Sequence, residues 1–503
     1  MTSSVDYGDV QGIVRFGYAR MTEACYFLVK IRNASAASAW LKSAPFTSAI
    51  KLDQPPKTAL QIAFTREGME SLRVPQKVIA GFSKEFTSGM AADEDRSRRL
   101  GDTEASAPSK WKWGNADGVP HAVVMLFAEP NLLDSWKQSI KGQFWGEGFE
   151  EIDCLPTSDM GGREPFGFVD GISQPTLDWE QTRKVPINGY EREYSNIVSL
   201  GEFVLGYRNE YGKYTDRPLL DPQERGSTDL PFAEEETGKK DLGRNGSYLV
   251  MRQLNQDVRG FWRFLDQATN SNPAERYKLG SYMVGRAFED GSPLVPLSQQ
   301  TIPGIDNDHD GIAKNQFTYD ADVEGTRCPY GAHVRRANPR NADVPGDPKG
   351  LLATLIRTLG FRNKTFRDDL IASTRFHRIL RRGREFGRKI TPEEALQPAP
   401  PNDPEVGLQF LAFNSNIQRQ FEFVQNAWLM RTKFDGLTEE SDPLLGNRAP
   451  VPGCPFTNTF SIPQSSGIRR RIMGVPQFIT VRGGAYFFLP GMSALRYLSR
   501  LND

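Results

Sequence analysis

The sequence predicts an α+β fold. Strand-forming runs and runs of helical periodicity come in blocks, without the strict strand–helix–strand alternation of a parallel α/β sheet. The strand half of this reading rests on Ala24–Ile31, HAVVMLFAE (121–129) and GLQFLAF (407–413). The helical half rests on segments such as GFWRFLDQAT (260–269), with apolar residues spaced for one helix face.

In chain order, residues 9–32 open on glycine punctuation and run into an alternating strand near Ala24–Ile31. Helical spacing follows at Ala34–Lys42 and Ala59–Ser71. Residues 84–118 are polar and read as a long loop. HAVVMLFAE is a strand, and Asn131–Lys141 a helix. GEFVLGY (201–207) and SYLVMRQL (247–254) read as strands. The proline-rich 391–406 reads as a surface connection. It leads to the buried strand GLQFLAF and an amphipathic helix over 414–430. QFITVRGGAYFFLP (477–490) has the pattern of a hairpin turning at Gly483-Gly484. No short-period repeat is visible.

The 503 residues, 38% of them hydrophobic, can bury a sizeable core and suggest more than one domain. Lys and Arg number 62, as do Asp and Glu. That balance argues against a broad footprint for nucleic acid or an anionic membrane. No run approaches the ~18 apolar residues that a spanning helix requires. The start, MTSSVDYGDVQG, lacks a charged segment followed by an apolar one, so a cytoplasmic protein is expected. Cys25, Cys154, Cys328 and Cys454 have no CxxC spacing and read as free thiols in a reducing compartment. The four histidines are His121, His309, His333 and His377. A multi-histidine metal site would need most of them, whereas a single axial ligand is easily supplied.

Asp170 lies in GFVDGISQP (167–175). It is one of five Asp-Gly pairs, and such a pair taken alone is a turn. Its setting differs, because apolar residues precede it and Gly167 and Gly171 leave room for a flat ligand. An acid so placed is a candidate for proton transfer. His333 follows small residues in CPYGAHVRRANPR (328–340), and the arginines beyond it suit carboxylates. Arg381, in RILRRGREFG (378–387), reads either as part of a solvated basic face or as a cation aimed at a reacting anion. His377 competes as a ligand but is crowded by long charged side chains, and His121 opens a strand. DNDHDG (306–311) imitates half a calcium loop, yet Phe317 stands at the twelfth position, where a bidentate Glu is needed.

Together, GFVDG, CPYGAHVRRANPR and RILRRGREFG, in that order, resemble the dye-decolorizing peroxidases. Weaker echoes, such as DVQGIV (9–14) and VRGGAYFFLP (481–490), extend the resemblance over nearly the whole chain. The insertion after Arg381 resembles the larger family members. The resemblance implies two ferredoxin-like halves, 1–200 with GFVDG and 201–503 with most of the haem pocket. It implies one noncovalent haem b, and no CxxCH suggests covalent attachment. His333 would be the iron ligand, Asp170 the distal acid–base, and Arg381 the distal arginine. Gly171, Ile172, Ser173, Arg335 and Asn338 would complete the haem contacts. Leu411 and Phe413 would line the distal pocket. The carboxylate behind His333 would be Asp442 or Glu422. Hydrogen peroxide and aromatic donors are the implied reactants, and no nucleic acid or membrane is expected. A haem-binding or iron-releasing protein on the same fold is the alternative. An Asp base near ~3.9, rather than a His near ~6.5, predicts an acidic optimum.

Overall fold

The computed structural model describes residues 4–116, 118–182, 195–297, 314–340 and 373–502. Four strands come first: β1 (Glu23–Ile31), β2 (Thr58–Phe64), β3 (Ala122–Ala128) and β4 (Phe149–Pro156). Helix Ala34–Ser43 links β1 to β2, and helix Leu133–Ile140 links β3 to β4. They pair antiparallel in the order β4-β1-β3-β2. Short pairs follow outside this sheet: β5 (Thr176–Asp178) with β6 (Ile197–Ser199), and β7 (Leu219–Leu220) with β8 (Lys240–Asp241).

The second set is β9 (Ser247–Gln256), β10 (Leu380–Arg381), β11 (Arg384–Phe386), β12 (Gly407–Asn414) and β15 (Ile479–Leu489). A hairpin of β13 (Phe460–Ile462) and β14 (Arg470–Ile472) stands apart. β15 pairs with β9, β9 with β12, and β12 with both β10 and β11. Counting β10 and β11 as one interrupted strand, this repeats the fourth-first-third-second order of the first unit. Both units are therefore ferredoxin-like, with their strands at 23–156 and 247–489. They meet where β15 touches β2, at Phe488 opposite Phe64.

Both faces of this sheet are covered. Phe27, Leu60, Val124 and Val250 belong to one core, and Tyr26, Leu28, Leu249 and Phe487 to the other. Burial on both sides erases the alternation that marks a half-exposed strand, which explains several departures from expectation. Ala59–Ser71 is not one helix: β2 occupies Thr58–Phe64, and a short helix, Arg66–Ser71, follows with Thr65 capping the Gly68 amide at 3.2 Å. GEFVLGY forms a tight turn, Leu200–Glu202, rather than a strand. The polar 84–118 stretch holds two short helices, Lys84–Ser88 and Glu94–Leu100.

The glycines of VRGGAYFF do not turn a hairpin either. β15 runs straight through them with a bulge between Val481 and Gly483. A Cβ on Gly483 would come within 2.5 Å of the Trp113 ring, which packs against that backbone. Here glycine admits an indole. Among the described residues no helix is long and apolar enough to cross a membrane.

Candidate active site

One cavity lies on the face of the second unit where helices Val258–Ala268 and Pro273–Val284 pack. Counted out to its mouth, it encloses about 1750 Å³ of empty space. Its floor is the sheet: Arg252, Leu254 and Gln256 of β9, Leu408 and Phe410 of β12, and Ile479 and Val481 of β15. His333, Asp170 and Arg381 all border it, although they stand far apart in sequence.

His333 opens a five-residue helix, His333–Ala337. Its Nδ1 lies 3.0 Å from Asp442 Oδ2. Asp442 is fully buried, and its other oxygen accepts the amides of Leu444 (2.9 Å) and Leu445 (2.8 Å). Burial alone would push the His333 pKa down, but Asp442 outweighs it and the net shift is upward. Asp442 moves the opposite way: burial is overcome by His333, then by Arg336, and the acid stays below its usual value. With Nδ1 directed at Asp442, Nε2 is the ring nitrogen left for the cavity. The other candidate, Glu422, is engaged elsewhere, accepting from Tyr486 Oη at 2.9 Å and pairing with Arg96 at 2.9 Å.

Asp170 and Arg381 form a second pair, with Arg381 Nη1 donating to Asp170 Oδ1 at 3.1 Å. Protein surrounds the acid, yet 31% of its side chain stays open to the cavity. Burial pushes its pKa up, but the Arg381 charge, the Gly171 amide and the distant His333 more than compensate. The net shift is downward, so the group is a carboxylate. Its loop is held from several sides. The Asp170 amide donates to Gly162 O at 3.1 Å. Glu164 accepts the amides of Phe166 (3.1 Å) and Phe168 (3.0 Å), and Gln256 Nε2 reaches it at 2.9 Å. Burial drives Glu164 up to about 7 despite those bonds. Gln174 Oε1 accepts the Arg381 amide at 3.0 Å, so the "ISQP" continuation also fixes the arginine's backbone.

The remaining expected site residues divide. Ile172, Ser173 and Asn338 line the cavity. Gly171 has φ +81°, and a side chain on it would point into open space, so conformation is what requires glycine there. Arg335 does not reach the cavity. It is buried behind the helix, where Nη1 donates to Cys328 O at 2.8 Å and Asp322 O at 3.2 Å, between the rings of Tyr319 and Tyr330. Leu411 and Phe413 are fully buried in the core on the opposite face of the sheet. The right alternation is shifted by one: Phe410 pairs with Arg252 and Leu408 with Leu254, and cross-strand partners share a face.

His377 also borders the cavity, but its Nδ1 donates to Arg419 O at 2.5 Å and its ring stacks on Phe423 at 3.6 Å. Burial holds its pKa at about 4. His121 accepts the Ile31 amide at 3.0 Å and is structural. His309 and most of the calcium-like loop lie outside the described residues.

Sequence reasoning missed Arg286. It lines the cavity, is 3% exposed, and donates to Gly291 O (2.8 Å), Lys314 O (3.2 Å) and Ser173 Oγ (2.8 Å). Among the described residues no carboxylate pairs with it. Burial, helped by Arg340 and Arg381, depresses its pKa to about 10. A buried cation in this state favours an anionic ligand. Its one sequence signal is its place in GRAFEDGSPL (285–294), a further weak echo of the family that suggests no role.

No model of a known protein family matches the chain. Individual proteins do. The multifunctional dye peroxidase DyP2 of Amycolatopsis is 31% identical over 354 residues, covering 68% of this chain and 62% of that protein, so the match spans less than two thirds of that relative. The dye-decolorizing peroxidase msp1 of Mycetinis scorodonius is 27% identical over 519 residues, 98% of this chain and 88% of its own. Among solved structures, a mutant of the decolorizing peroxidase of Auricularia auricula-judae superposes with a TM-score of 0.70 at 25% identity, covering 99% of this chain and all of that one. By sequence over nearly its full length, and by fold, this chain belongs to the dye-decolorizing peroxidases.

Proposed function

We propose that this chain is a haem peroxidase that reduces hydrogen peroxide and oxidises dyes and phenolic or other aromatic donors in one-electron steps. The observation that carries this reading is two hydrogen-bonded pairs at one cavity, His333–Asp442 and Asp170–Arg381.

The cavity suits a noncovalent b-type haem in three respects. His333 presents one nitrogen while Asp442 engages the other, the usual way a protein fixes a ligating imidazole. Arg286 is a buried cation in want of an anion, which a propionate would supply. The walls include Leu254, Val284, Leu429 and Ile479, apolar surface for a flat macrocycle.

When bound, the haem would supply the iron that receives a peroxide oxygen and the oxidising equivalents later passed to donors. The protein's part is to move one proton and to hold charge. Asp170, ionised and open to the cavity, takes the proton from one peroxide oxygen and returns it to the other as the O–O bond breaks. Arg381 fixes the carboxylate and offers its charge where negative charge grows on oxygen. Gln174 anchors the Arg381 backbone. Asp442 holds the His333 tautomer and raises its basicity.

The test is a purified protein with a Soret band that oxidises a dye with peroxide. Asp170→Asn should keep the band and lose dye oxidation. Undiminished oxidation in that variant would remove Asp170 from the mechanism.

A further inference from the structure

Two cysteines come together in the N-terminal unit, on strands that do not line the cavity. Cys25 sits on β1 and Cys154 on β4. In the register of this pair Phe27 is opposite Cys154 and Cys25 is opposite Pro156. The two cysteines are thus diagonal neighbours on the same sheet face. Cys25 is 1% exposed, whereas Cys154 is only partly buried.

The surroundings are cationic on the open side. Lys137, on helix Leu133–Ile140, acts on both thiols through its charge. Lys141 Nζ stands 4.4 Å from the centre of the Phe27 ring, directly across from Cys154. Glu151 and Asp134 also face this region, each paired to a lysine: Lys141 with Glu151 at 2.7 Å, Lys137 with Asp134 at 3.3 Å. The Cys154 thiol is held at about 7: the hydrogen bond from Cys25 is the main cause, burial opposes it, and Lys137 and Lys141 assist. The Cys25 thiol is pushed far up, by its bond to Cys154 and then by burial. A partly exposed thiol with a lowered pKa, beside a second, buried thiol, is the arrangement of a peroxide-sensitive cysteine with its resolving cysteine.

We propose that Cys154 and Cys25 are a peroxide-oxidised thiol pair, with Cys154 as the reacting sulfur and Cys25 as the resolving one. The Cys154 thiolate attacks one oxygen of hydrogen peroxide. An S–O bond forms and the O–O bond breaks, the sulfur is oxidised by two electrons, and hydroxide leaves. The Cys25 sulfur then attacks the sulfenic sulfur. The S–S bond forms, the S–O bond breaks, and the departing hydroxide takes the Cys25 proton to become water. Diagonal partners must close slightly to bridge. β4 is an edge strand, and among the described residues its one strand partner is β1.

The test is a peroxide pulse on the purified holoprotein, followed by alkylation and peptide mass spectrometry. The expected product joins the Cys25 and Cys154 peptides, is lost on reduction, and leaves Cys328 and Cys454 alkylated. Cys25→Ser should arrest Cys154 as a dimedone-reactive sulfenic acid, and Cys154→Ser should leave Cys25 unoxidised. Asp170→Asn should form the bridge undiminished, which separates thiol chemistry from any reaction at the cavity. A Cys154 that stays fully alkylatable at a peroxide dose that oxidises N-acetylcysteine would overturn the proposal, as would a bridge that disappears in Asp170→Asn.

Discussion

Asp442 and Asp170 are two carboxylates with the same electrostatic history and different access. Asp442 is fully buried and Asp170 partly so, each is hydrogen-bonded to a basic side chain, and both are held below the usual carboxylate value. Asp442 is sealed: one oxygen meets His333 and the other meets two backbone amides. Asp170 keeps 31% of its side chain open toward the cavity. The pKa direction alone does not separate a fixed anion from a proton carrier; the open lone pairs do.

The largest effect is expected at His333. His333→Ala should abolish the Soret band and dye oxidation together, read by absorbance on the purified protein. Asp170→Asn comes next: the band stays, and the peroxide reaction slows by about 10²–10⁴-fold, the usual worth of a positioned acid–base group. Arg381→Leu should cost about 10²–10³-fold, with a change in pH profile. In the native protein Asp170 is depressed, so base function persists below the ordinary carboxylate value and fades only as pH falls through the lowered pKa. Without the guanidinium the largest opposition to burial is lost, that pKa rises, and the acid limb of the peroxide rate moves to higher pH. The same shift has a stability side. The depressed Asp170 contributes stability above its unfolded pKa and loses it as pH falls through the folded one, so Arg381→Leu should narrow the acid range of the fold. Asp442→Asn should cost about 10–100-fold in activity or metal affinity and leave the acid limb unmoved. A displaced acid limb in Asp442→Asn would erase the distinction between the two carboxylates.

The site was legible where a side chain carries its own chemistry. Asp170, His333 and Arg381 were readable because three short motifs kept family order, and the structure brings all three to one cavity. Asp442 was one of two candidates, because a contact across 109 positions leaves no local trace. Arg335 and Arg286 show the limit more sharply. Arg335, two positions after His333 and so facing away from it on a helix, was expected at the cavity and is instead bonded to Cys328 and Asp322. Arg286 carries no sequence signal of burial, yet it is a buried cation at the cavity. The α+β class was readable from strand and helix blocks. The long strand through Gly483-Gly484 was not, because its glycines answer to Trp113, which lies 370 positions earlier.

The smallest effect on activity should come from the strand whose parity the sequence left open. In GLQFLAF every second residue is apolar on both faces except Gln409, which is itself buried. Hydrophobicity therefore gives no vote, and only pairing with β9 decides which face meets the cavity. Phe410, opposite Arg252, faces it; Leu411, opposite Met251, faces the other core. Leu411→Ala should lower stability by about 2–5 kcal/mol, as for a fully buried leucine. Its peroxide rate per folded, haem-loaded molecule should stay within about twofold, less than 1 kcal/mol in barrier. Phe410→Ala should destabilise less, since its ring already borders open space, and should change the peroxide rate or donor preference. Denaturant unfolding paired with stopped-flow peroxide kinetics separates the two. The reverse pattern, with Leu411 governing the rate and Phe410 the stability, would mean that β12 presents its other face to the cavity.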